Sequence, residues 1–176
     1  INEEIDKLRL FATTNLLTRK DVIVVASVSC IYNLGSPVEY GRFILELKPN
    51  MNISLKTIMD NLVSLQYERN DYSFKRGTFR IRGLSIDILP AYADEGVRIE
   101  INQSGNGEKI RKIIKFDPLT GENISILQNG TVIYPAKHYM TNPASYGSVF
   151  EAIRKDLAIQ VKKFKDSGKL LEAQRL

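Results

Sequence analysis

Three short runs between residues 78 and 101 constrain this chain most. Thr78–Arg82 alternates, with Phe79 and Ile81 on one side and Thr78, Arg80 and Arg82 on the other. Leu84–Leu89 sets Leu84, Ile86 and Ile88 against Ser85 and Asp87. Val97–Ile101 sets Val97, Ile99 and Ile101 against Arg98 and Glu100. A period of two belongs to antiparallel strands with one face on a core and one in water. The wet face carries Arg80, Arg82 and Arg98, and Arg69 and Arg76 stand just upstream. Lys109–Phe116 adds a strand with Ile110, Ile114 and Phe116 on one side and Arg111, Ile113 and Lys115 on the other. Arg42–Lys48 reads as a strand with Phe43, Leu45 and Leu47 inward. Asn129–Gly130, between Ile124–Gln128 and Thr131–Tyr134, predicts a tight hairpin.

Helical periods surround these strands. Residues 2–18 place Ile5, Leu8, Ala12 and Leu16 on one stripe. Val22–Ala26 is apolar without alternation, as in a strand buried on both faces of a parallel sheet, whose partner strands are expected outside this sequence or from far along it. Ser36, Pro37 and Glu39 form a helix start, with Ser36 as N-cap, and Gly41 keeps that helix short. Ser54 caps a helix from Leu55 to about Tyr67, with Leu55, Ile58, Met59, Leu62 and Val63 as its apolar stripe. Asn142–Pro143 opens a long helix striped by Phe150, Ile153, Leu157, Val161 and Phe164. Ser167–Gly168 interrupts it before a second helical start at Lys169. The expected organisation has three parts: a lead-in helix and buried strand over 1–40, a compact α+β module over 41–134, and a helical exit over 135–176. The fold class is α+β, a mainly antiparallel sheet packed with helices and inserted in an incomplete α/β core. The sequence opens at Ile1 and closes at Leu176 within a helical pattern, and reads as a piece of a longer protein.

Composition narrows the chemistry. A net charge of +5 and a pI near 9.3 favour acidic partners, nucleic acid or an acidic protein surface. One cysteine, Cys30, cannot close an internal disulfide, which suits a reducing compartment. No run approaches the roughly 18 apolar residues of a membrane span. Cys30 and the single histidine, His138, carry no spacing that makes them a nucleophile and base, or a metal site. Gly105–Lys109 lacks the glycine spacing of a phosphate loop and the hydroxyl residue after its lysine, so it reads as a hairpin turn. What remains is the arginine face. Arginine's planar fork suits bidentate pairing with carboxylate or phosphate, and arginine anchors interfaces. Asp87 and Glu100 interrupt the positive charge, each placed to pair with or orient an arginine. That mixture favours a charge-matched protein partner. The alternative is an autonomous nucleic-acid-binding module, for which Tyr72 and Phe74 are the nearby stacking aromatics.

Long motifs then point to a family. DVIVVASVSCIYNLGSP (Asp21–Pro37), QYERND with FKRGTFRIRG (Gln66–Gly83), FDPLTG (Phe116–Gly121), IYPAKHY (Ile133–Tyr139) and KLLEAQRL (Lys169–Leu176) closely resemble the bacterial UvrB family. Members of that family are the damage-verifying subunit of the nucleotide-excision-repair excinuclease. The resemblance runs through the whole chain in order. It implies that the module from Gly41 to Tyr134 is the family's second domain, which binds UvrA and interrupts a helicase-like ATPase core. It implies UvrA contacts at Arg69 in YERND, Arg80 and Arg82 in TFRIRG, and Arg98 and Glu100 in VRIE. Arg9, in DKLRL, matches an arginine near the family's DNA-inserting hairpin. Asn33 departs from a position that is often glycine, and the turn over Ala93–Val97 is a residue shorter than in some relatives. The Walker A loop, the aromatic hairpin, the DEAD-type motif and the UvrC-binding helices are not in this sequence. The chain is therefore expected to hold no cofactor and to catalyse nothing alone. ATP, magnesium, damaged DNA and UvrC belong to the implied full-length parent, a cytoplasmic bacterial protein.

Overall fold

A computed structural model describes residues 2–32, 37–104, 107–138, 140 and 146–175. The chain divides into two units, residues 1–140 and 141–176. Five helices are described: α1 (Glu3–Thr18), α2 (Pro37–Arg42), α3 (Leu55–Ser64), α4 (Tyr146–Asp166) and α5 (Leu170–Arg175). The strands are β1 (Leu45–Leu47), β2 (Glu68–Arg69), β3 (Thr78–Arg82), β4 (Ser85–Leu89), β5 (Gly96–Ser104), β6 (Gly107–Phe116), β7 (Asn123–Ile126) and β8 (Thr131–Ile133). Helices with a mainly antiparallel sheet make the fold α+β.

Strands β2 to β7 lie side by side in sequence order as one sheet. Only the short β2–β3 pair is parallel. The three alternating runs pair as their period requires. Phe79 faces Ile88 and Ile81 faces Ile86; Ile86 in turn faces Ile99, and Ile88 faces Val97. These residues join Ile101, Ile110 and Ile113 in the main core. Helix α3 brings Ile58 and Leu62 to that core, β1 brings Leu45 and Leu47, β8 brings Ile133, α1 brings Leu10 and α2 brings Tyr40. Complete burial of one such isoleucine stabilises the fold by about 1.5–3 kcal/mol. Ser54 caps α3 as expected, accepting a hydrogen bond from the Thr57 N–H at 3.0 Å. That helix stops at Ser64, short of Tyr67, because Gln66 turns the chain at a φ of 67°.

Several expectations are corrected. In β6, Ile110 does not share a side with Ile114 and Phe116. The pairing slips between Glu100 and Ile101, leaving Arg111 as an extra residue between Lys112 and Ile110. This bulge returns Ile110 to the core side together with Ile113. Asn129–Gly130 does form a turn, with the Gly130 N–H donating to the Leu127 carbonyl. Its flanks do not pair with each other: β7 pairs with β6, and β8 pairs with β1. Gly130 has a φ of 89° and lies so close to the Leu47 carbonyl that a β-carbon would collide with it.

Val22–Ala26 is not a buried strand. It forms no ladder, and Ile23 and Val25 are 92% and 94% exposed. A doubly buried strand needs a neighbour on each edge, and no described strand runs beside this one. Val28–Ile31 follows as a short 3₁₀ turn. In α1 the expected stripe is not the buried face. Leu10 and Thr14 are buried, whereas Ile5, Leu8 and Leu16 are about half exposed. Leu10 packs into the core, Thr14 bonds the Tyr40 hydroxyl at 3.3 Å beside it, and Lys7 pairs with Asp94 at 2.7 Å. The Ser36 cap, Asn33, the Gly105–Asn106 turn and the Asn142–Pro143 helix start lie outside the described residues. In the second unit, Phe150, Ile153 and Leu157 are exposed along α4, and Gly168 separates it from α5.

Candidate functional site

Strand register carries the polar residues of the sheet onto its second face. Arg80 on β3 lies opposite Asp87 on β4, and Asp87 lies opposite Arg98 on β5. A second row holds Arg82, Ser85, Glu100 and Lys112. This face is not simply wet. Asp87 is only 2% exposed, and Ile114 and Phe116 on the same face are buried.

Asp87 sits between two guanidiniums. Arg80 donates through Nε to Oδ2 at 3.0 Å, and its Nη2 stands in ion-pair contact with the same oxygen at 3.0 Å. Arg98 donates through Nε to Oδ1 at 2.6 Å and through Nη2 to Oδ2 at 3.1 Å. Charge-assisted bonds of this kind are roughly twice as strong as neutral ones. They raise the Arg98 pKa above its ordinary value; burial opposes this, and the charges of Asp87 and Glu100 add to it. Each guanidinium also lies on an aromatic ring. Arg80 stands 4.1 Å from the centre of Phe74, and Arg98 stands 4.6 Å from the centre of Phe116. The two rings stack on each other at 6.0 Å and 15°. Phe116 in turn covers Gly96, where a β-carbon would come within 2.5 Å of the ring. The arrangement closes on itself: carboxylate, arginine, ring, ring, arginine.

The other expected site residues are distributed around this cluster. Arg69 on β2 is exposed and paired with Asp71 at 3.0 Å. The same Asp71 accepts the Ile81 N–H, which lowers its pKa, with Arg69 as the second cause. Arg82 is exposed and has no ion-pair partner among the described residues. Glu100 is half-buried beside Arg98. Arg76 is drawn away from this face into a network with Asp94 and Glu4, which Lys7 of α1 shares. Arg9 stands on α1, donating through Nη2 to the Tyr32 carbonyl at 2.6 Å, with its Nε buried and unpartnered. Tyr72, in the loop between β2 and β3, is fully exposed. Phe74 in that loop is committed to Arg80 and Phe116.

Two supports escaped the sequence reading. Phe116 is assigned to the core side unless the Arg111 bulge is known. Phe74 sits in a loop, where alternation gives no direction. Gly96 at the start of β5 was the available signal, since a strand glycine often marks close approach by another group.

A second cluster lies on the core side. Tyr40 and Tyr134 stack at 6.1 Å, Tyr92 meets Tyr134 edge-on, and His138 stacks on Tyr40. The hydroxyls of Tyr40, Tyr67 and Tyr92 donate to the carbonyls of Pro135, Tyr134 and Val132. Burial pushes the Tyr40 hydroxyl up to about 12 and those of Tyr67 and Tyr92 well above their usual range. These hydroxyls fasten the chain at and just after β8. Cys30 has Ser27 as its hydrogen-bond neighbour and is not joined to His138.

The family model described as the UvrB interaction domain matches residues 45–139, just over half of the chain. The chain belongs to the UvrB interaction domain family. It is 48% identical over 176 residues to the UvrABC system protein B of Gemmatimonas aurantiaca. It is 46% identical over 176 residues to that of Leptospira biflexa, and 47% over 177 residues to that of Latilactobacillus sakei. Each alignment covers all of this chain but only 24–26% of the relative, so the chain spans about a quarter of their length. The UvrB interaction domain match contains the eight described strands, and with them Arg69, Arg80, Arg82, Arg98 and Glu100. Arg9 lies outside it.

Proposed function

We propose that the arginine face is a protein-docking surface for UvrA, within a UvrB subunit that takes part in nucleotide-excision repair. The observation that carries this reading is the presentation of Arg80, Arg82 and Arg98 on one rigid sheet face inside a domain of the UvrB interaction family. Acidic groups of UvrA pair with the arginines, and a basic group pairs with Glu100. Arg69 extends the face along β2. Docking of this kind brings the parent protein to a lesion that UvrA has found. In that parent, ATP and magnesium serve a separate ATPase core, damaged DNA and UvrC are further partners, and Arg9 stands toward the DNA. This chain contributes recognition and no chemical step.

Arg82→Glu is the variant that isolates docking. Arg80→Glu would set two carboxylates against each other at the buried Asp87 and disturb the sheet as well. Arg82 is exposed and makes no ion pair among the described residues, so its reversal is expected to leave the fold intact. Calorimetry with UvrA is expected to show affinity reduced by about tenfold or more. An unchanged affinity would sink the assignment. The nucleic-acid alternative predicts DNA binding that weakens steeply with salt. Asp87 and Glu100 break the continuous positive surface that phosphates would track.

A further inference from the structure

We infer that Asp87, together with the Phe74–Phe116 stack, is a positioning device that aims Arg80 and Arg98 at partner carboxylates. The inference rests on the docking reading and adds how the docking residues are held. Both arginines turn the same edge, formed by Nε and Nη2, toward Asp87: Arg98 donates through both nitrogens, and Arg80 donates through Nε with Nη2 in ion-pair contact. One flat side of each guanidinium is covered by a ring. What remains for a partner is the opposite end of the fork, and the side chains keep only 13% and 23% exposure through which to offer it. A carboxylate arriving end-on meets donors already in place, so little side-chain freedom is lost on binding. Lysine at either position could satisfy Asp87 or a partner, but not both in this geometry.

The device reverses what charge alone would dictate. Asp87 is a negative group in the middle of a face that binds an acidic partner. If net charge governed docking, Asp87→Asn would add positive charge and tighten binding. If position governs, the same change frees both arginines and weakens binding.

The test compares the wild-type chain, Asp87→Asn and Arg82→Glu. It uses thermal unfolding, calorimetry against UvrA, and the ¹⁵N-resolved Nε–H signals of Arg80 and Arg98. Wild type is expected to show two slowly exchanging Nε–H signals. In Asp87→Asn those signals broaden or vanish, and affinity falls about tenfold although the chain remains folded and is more positive. Unchanged or tighter binding by folded Asp87→Asn overturns the inference. If Asp87→Asn does not fold, Phe74→Leu decides, because it keeps Asp87 and removes the ring beneath Arg80. A several-fold loss of affinity with normal unfolding supports positioning, and an unchanged affinity overturns it. The docking reading fails separately, if wild type does not bind UvrA or Arg82→Glu binds as wild type does. The Nε–H signals still report the geometry in that case.

Discussion

On one face of the six-stranded sheet, Phe79, Ile86, Ile88, Ile99 and Ile113 are closed over by α3, β1, β8 and the inner residues of α1 and α2. On the other face no helix among the described residues of 1–140 closes over the β3–β5 arginine row; the sheet covers itself there with Phe74, Phe116 and the two guanidiniums above them. The first face depends on volume, and many apolar residues of the right size could fill it. The second depends on direction, since a guanidinium moved off Asp87 or off its ring loses its partner altogether. On the docking reading proposed above, one side of the sheet supplies most of the packed core and the other supplies the specificity.

Three experiments probe that division. The largest effect belongs to the packed face. Ile99→Ala empties a fully buried site and is expected to cost about 2–5 kcal/mol in denaturant unfolding. Affinity for UvrA, measured where the variant is still folded, should not change. A loss of binding without a loss of stability would break the comparison.

Gly96→Ala acts from within the directional face. Its φ is ordinary, so any cost comes from the methyl group meeting the Phe116 ring. Overpacking of this kind costs about 1–3 kcal/mol. Displacing Phe116 also disturbs Arg98, so stability and docking are expected to fall together. Near-ultraviolet circular dichroism of the ring and calorimetry against UvrA report the two effects.

The smallest effect separates the faces by pH. Burial lowers the pKa of His138 below its ordinary 6.5, and the charge of Arg9 lowers it further, while Asp6 opposes both. A histidine kept neutral by folding gives stability that is complete above the unfolded pKa. That stability is lost as pH falls below about 6.5 toward the lower folded value. One such proton limits the slope to about 1.4 kcal/mol per pH unit. Denaturant midpoints at pH 7.5 and 5.5 should show this loss, and His138→Gln should remove most of it. Arg98 on the arginine face does not titrate there, because its hydrogen bonds to Asp87 raise an already high pKa.

The sequence announced the strands over Thr78–Ile101 well, because each must alternate to serve two environments. With the alternation came the common side of Arg80, Asp87 and Arg98; which residues pair across it was read only from the structure. Asp87 as the orienting partner of an arginine was legible for the same reason. Pairing across distance was not. The bulge at Arg111 is decided by how β6 meets β5, so no count along β6 reveals it. The Asn129–Gly130 turn was correctly placed, but the chain on each side found a longer-range neighbour than its own hairpin partner. Val22–Ala26 has the composition of an interior strand, yet composition cannot provide the flanking strands that interior position requires. In α1, the buried side runs through Leu10 and Thr14, and a helical period alone does not say which of its stripes meets the core. Phe74 and Phe116 complete the cluster only through contacts that join a loop, a strand end and two neighbouring strands.

The extra residue at Arg111 gives β6 two phases. Before it, alternation assigns Ile110 to the interior. After it, Ile113 continues that assignment while Ile114 and Phe116 cross to the arginine side. One strand thus serves two masters, and the change of phase falls at a single position. A shift by one residue there would exchange the roles of everything downstream, putting Lys115 where Phe116 now supports Arg98. The spacing of β6, as much as its composition, is the heritable part of this surface.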